Sequence, residues 1–141
     1  MALCNPRYNL STMRMQLLTL AFVLMSGSAL VSAEEPTAAH QQLMKDIGGL
    51  NGKIRKGEDV AGNAKLLAAA GKQVEAFWGK RSEIGLKTSQ EMISGANEMA
   101  TAAAANNADG IAAAGKKVGG SCRGCHDQHR EKVAENVYKI K

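Results

Sequence analysis

The stretch that decides how this chain is read runs Gly119-Gly120-Ser121-Cys122-Arg123-Gly124-Cys125-His126-Asp127-Gln128-His129-Arg130. Two cysteines stand three apart, and a histidine directly follows the second. On a helix, residues three apart share a face, so both thiols point the same way with the His126 imidazole beside them. A zinc site would want a second pair of ligands; His40 and His129 do not make a recognisable one. A thioredoxin-like dithiol sits near a βαβ pattern, which is absent. A structural disulfide would leave His126 without a role. Haem attachment uses all three side chains. The thiols add to the two vinyl groups of a porphyrin and the imidazole binds the iron, and Cys-x-x-Cys-His is the pattern of c-type haem attachment. The reading taken is one haem c, covalent through Cys122 and Cys125, with His126 on the metal.

The N-terminal region supports that chemistry. Residues 1–33 carry Arg7 and Arg14, no acidic residue, an apolar run from Leu17 to Met25 and a Val31-Ser32-Ala33 ending. This is the order of a secretory signal peptide. The apolar run falls short of the ~20 residues a spanning helix needs. Cleavage is expected after Ala33, giving a single domain over residues 34–141 with no stable membrane insertion. Without Arg7 and Arg14, 16 basic side chains remain against 13 acidic ones. That balance is too mild to imply nucleic acid, and no basic face with interleaved aromatics appears.

Helical periodicity covers most of the remainder. His40, Leu43, Met44, Ile47, Leu50, Asn51 and Ile54 form one stripe at three- and four-residue spacing. Pro36 suits a first helical position, and Gly57 can end the helix. A second stripe runs from Val60 through Ala64, Leu67, Ala70 and Val74 to Trp78, after Glu58 and Asp59. Thr88-Ser89-Gln90-Glu91 has the form of a capping box and predicts the start of a third helix through Met92, Ala96 and Met99. Asn106 to Gly110 breaks it. Ile111, Ala114, Val118, Cys122, Cys125, His126 and Val133 mark a fourth. No sustained alternation appears, so no sheet is expected. The fold class is all-α, an antiparallel four-helix bundle with its haem near the C-terminus.

The core of such a bundle is thin, since Phe77, Trp78 and Tyr138 are the aromatics beyond the leader. Gly48, Gly49, Gly71, Gly95, Gly115, Gly119 and Gly120 fall inside helical segments at ~1 kcal/mol each against alanine. They make sense if helices must approach something flat and bulky.

A single haem motif near the end of a four-helix chain resembles the cytochrome c-prime family, the class II c-type cytochromes. The resemblance spans about Thr37 to Lys132. Its strongest parts are Ser121–Arg130 and His40-Gln41-Gln42-Leu43-Met44. It implies that Gln41 matches a residue of the distal helix and that Met44 occupies the distal position. His40 stands where the family usually has arginine. The family often places an aromatic three residues after the motif histidine and a base after that; this chain has His129 and Arg130. Arg130 is thereby a candidate for a propionate contact.

Met44 has two readings. It is core filler, or it is the sixth iron ligand, a thioether that raises the potential. The match favours the low-spin branch and electron transfer. Five-coordinate binding of nitric oxide or carbon monoxide is the alternative. Catalysis is not expected, because no acid–base pair or nucleophile constellation accompanies the motif. The resemblance further implies periplasmic export, a redox partner protein and a possible homodimer.

Overall fold

In the computed structural model, residues 33–141 are described. The expected leader, apart from Ala33, lies outside the described residues. Four helices follow in order: α1 Ala38–Arg55, α2 Val60–Trp78, α3 Glu83–Ala104 and α4 Ala108–His129. They pack antiparallel, as the periodicity predicts. The expected absence of strands is corrected by a short antiparallel hairpin, β1 Arg130–Ala134 and β2 Val137–Ile140.

Short side chains start and stop these helices. Thr37 rather than Pro36 opens α1, its hydroxyl accepting from the His40 N–H at 3.2 Å. Gly57 follows its end with φ +75°, a left-handed conformation that glycine adopts without steric cost. Asp59 caps α2 by accepting from Gly62 N–H at 3.0 Å, and Asn107 caps α4 through Gly110 N–H at 2.9 Å.

The third helix starts six residues earlier than the capping-box reading has it, with its cap at Ser82 rather than Thr88. The Ser82 hydroxyl accepts from Gly85 N–H at 3.1 Å. Thr88 sits in the helix interior, buried, and its hydroxyl donates to the Ile84 carbonyl at 2.8 Å. Such back-bonding satisfies a threonine inside a helix, so a cap-like residue in the sequence need not be one.

The core lies mainly among α2, α3 and α4. Leu67, Ala64, Met99, Ala96, Ala114 and Val118 are buried there. Alanine and glycine replace large side chains, and the helices come close. A Cβ on Gly85 would lie 2.8 Å from Trp78 ring atoms, and one on Gly71 2.7 Å from Ile93. Gly71 and Gly95 therefore serve helix–helix approach, which corrects the expectation that the glycines as a group answer a flat ligand. Gly48, by contrast, has nothing within 4 Å of such a Cβ and lines a cavity.

The first helix is the looser partner. Ile47 is its one buried residue. It leans on α2 and is held apart from α4. The space between α1 and α4 is the cavity.

Candidate haem site

The cavity has a volume of about 640 Å³, inside the ~300–1,000 Å³ span of small-molecule and cofactor sites. Met44, Ile47 and Gly48 face it from α1, Val74 and Trp78 from α2, Thr88 and Met92 from α3, and Cys122, Cys125 and His126 from α4. The three residues of the motif and the distal candidate thus meet in one apolar pocket, contributed by helices that hardly touch each other. A second concavity of about 820 Å³ beside α2 and α3 carries neither cysteine nor histidine.

Burial tunes the motif. It pushes the Cys122 thiol up, with Ser121 partly opposing, and it pushes the Cys125 thiol up, with Thr88 partly opposing. Both cysteines are unpaired and stay protonated near neutrality, unlike the thiolates that attack disulfides or bind zinc. Burial also lowers His126, assisted by Arg130 and His40 and opposed by Asp127. The neutral imidazole this favours is the form that ligates a metal. Among the described residues, no group of three His, Cys, Asp or Glu side chains is placed to hold a bare metal ion.

His40 and His129 sit on either side of the Phe77–Trp78 pair. His40 packs on Phe77 at 4.3 Å between ring centroids. His129 stacks on Trp78 at 4.3 Å and 25° and shares a 2.8 Å hydrogen bond with the Ser82 hydroxyl. One side chain therefore ties the end of α4 to the end of α2 and to the cap of α3. The histidine of the motif is His126; His129 does the packing of an aromatic. Sequence reading takes His129 as a packed or solvated side chain beside the motif; the packing is found, and the Ser82 partner is what it missed.

The flanking candidates are also on the cavity wall. Gln41 is exposed and its amide donates to the Pro36 carbonyl at 3.0 Å. Arg130 lies over the Tyr138 ring, 3.8 Å from its centroid. Beyond the helices, the hairpin lines the cavity through residues including Tyr138 and Ile140, a contribution the sequence reading missed.

The residues suit a covalently held porphyrin: a pocket of cofactor size, apolar walls, two protonated thiols one turn apart, a neutral imidazole beside them and a thioether facing from α1. This defines a c-type haem protein of the four-helix class. The chain belongs to the cytochrome c′ family: the family model described as Cytochrome C' matches residues 60–130, half of the chain. Members of that family are non-enzymatic haem proteins that bind one covalent haem c, and they are typically soluble and periplasmic. No curated protein and no solved structure shows significant similarity to the chain. The match takes in α2, α3 and α4 with Cys122, Cys125 and His126, and it leaves α1 and Met44 outside. Among the described residues, no helix is long and apolar enough to cross a membrane.

Proposed function

We propose that this chain is an exported electron-transfer cytochrome of the low-spin branch. Cys122 and Cys125 would hold the haem, and His126 and Met44 would supply its iron with an imidazole and a thioether. The observation that carries this reading is the placement of Met44 and His126 on one cavity, from α1 and α4 respectively. Bound there, the haem supplies a one-electron couple.

The chain's own residues set the conditions for it. Ile47, Val74, Trp78 and Met92 give the pocket apolar walls and lower its polarity, which is one lever on a haem potential. The Met44 thioether is another, favouring the reduced state. Lys45 and Arg130 put positive charge on the cavity wall, suited to the two carboxylates of a haem, and Gln41 stands beside them on α1. The reading calls for an exported protein beginning at Glu34 and a redox partner protein.

Absorption spectra of the matured protein in both oxidation states test it. The oxidised form should show a weak far-red band from iron–thioether bonding. Met44→Ala should abolish that band, lower the potential and speed carbon monoxide binding. An unaltered protein that is high-spin in both states would leave Met44 as a pocket wall and make gas binding the function.

A further inference from the structure

We propose that the C-terminal hairpin is a size-selecting wall of the haem pocket, with Tyr138 and Ile140 as its contact residues. The inference rests on the reading of the pocket as a haem site and adds a binding element outside the four helices.

Three observations carry it. First, the hairpin has two environments. Tyr138 and Ile140, two apart and so on one face of β2, line the cavity and are half-buried. Val133, on β1 and outside the cavity lining, is 45% exposed, and Val137, although it also borders the cavity, is 46% exposed. One layer of chain therefore separates this side of the pocket from solvent.

Second, the hairpin is anchored at its base. Ile140 N–H donates to the Glu34 carbonyl at 2.8 Å, and Glu34 N–H donates to the Ile140 carbonyl at 2.7 Å. Lys139 pairs with Glu35 at 2.9 Å. Lys141 N–H donates to the His129 carbonyl at 3.1 Å.

Third, its tip is free of such ties. Glu135 and Asn136 are exposed; Asn136 takes φ 59°, which asparagine tolerates in a turn. Exposed ion pairs add little to stability, and an isolated two-stranded hairpin is marginal in water. The walls from α2, α3 and α4 are held by a packed core, and α1, though looser, is a continuous helix that leans on α2. The hairpin wall is the one that yields at least cost. A diatomic ligand needs little room, whereas a bulky one has to push this wall aside.

The test uses matured holoprotein carrying Met44→Ala, so that the distal side is open whichever way the iron is ligated. Binding of carbon monoxide and of tert-butyl isocyanide to the reduced form is timed with and without residues 135–141. Removal should speed the isocyanide about tenfold, a modest change in barrier, and carbon monoxide far less. Equal acceleration of both ligands, or of neither, overturns the proposal. Full-length Tyr138→Ala and Ile140→Ala, in the same background, should shift the ratio the same way and decide the matter if the shortened chain does not fold. In the unaltered protein, the Ile140 amide should exchange with deuterium well before the amides of α3; equal protection overturns the proposal as well. Haem that extracts freely from the unaltered protein would instead sink the haem-site reading beneath it.

Discussion

The α2–α3–α4 block and the first helix are built on different principles. In the block, nine residues of α3 alone are buried, and glycines bring backbones close enough that a methyl group would collide with Trp78 or Ile93. In α1, Ile47 alone is buried, and Gly48 and Gly49 face open space. The block is a protein core in the ordinary sense. The first helix is a side wall whose apolar stripe faces a hollow, so its place depends on what fills that hollow. The family match follows the same line, covering the block and leaving α1 out.

Removing the filling should break the two regions apart. Cys122→Ala combined with Cys125→Ala eliminates covalent haem, and little folded protein should survive maturation. In whatever remains, hydrogen exchange should find α1 and the hairpin unprotected while the centre of α3 exchanges last. Uniform protection across all four helices would show that α1 packs on its own account.

Glycine substitutions sharpen the contrast. Gly85→Ala puts a methyl group 2.8 Å from the indole. Overpacking of this kind costs about 1–3 kcal/mol, against ~1 kcal/mol of helix propensity gained. Thermal unfolding of the holoprotein should therefore move down. Gly49→Ala, with nothing within 4 Å of the new methyl, should gain up to ~1 kcal/mol and move the transition up. If both variants shift the same way, the two regions are not packed as differently as described.

The smallest effect concerns the outer seam of the block. Lys117 donates to Glu98 at 2.6 Å and to Ser94 at 3.0 Å. The bonds from Lys117 and Ser94 hold the Glu98 carboxyl below its ordinary range. A depressed carboxyl adds stability above its unfolded value and loses it as pH falls through the native one. Acid titration of stability should show this slope, and Glu98→Gln should flatten it slightly. Because the pair is exposed, the change should be small.

Much of this molecule is legible from its residues. Helical periodicity gives four helices because alanine-rich stripes recur at the right spacing, and the Cys122–His126 pattern gives the chemistry. The resemblance marked Met44 as the distal candidate, and its place on the stripe of α1 fits its position on the cavity wall. Other features depend on partners far away in the chain. Ser82 reads as one polar residue among many until Gly85 and His129 come to it. The hairpin escaped because Arg130–Ala134 follows directly on a helix and Val137–Ile140 is too short to show alternation; Asn136, a turn former between them, was the clue. Thr88 misled, since the same side chain caps a helix or bonds back within one.

The bridge between Glu34 and Ile140 has a consequence for the order of events as the chain is made. It closes the longest loop among the described residues, and closing long loops costs entropy that few local contacts repay. The helices pair with sequence neighbours and can assemble earlier. The bridge cannot form until the final residues are synthesised, by which time α2 and α3 are already available to each other. During that interval one side of the cavity has no wall, and Cys122 and Cys125 stand open to whatever machinery joins them to their cofactor. The last contact to form then shuts the door behind it.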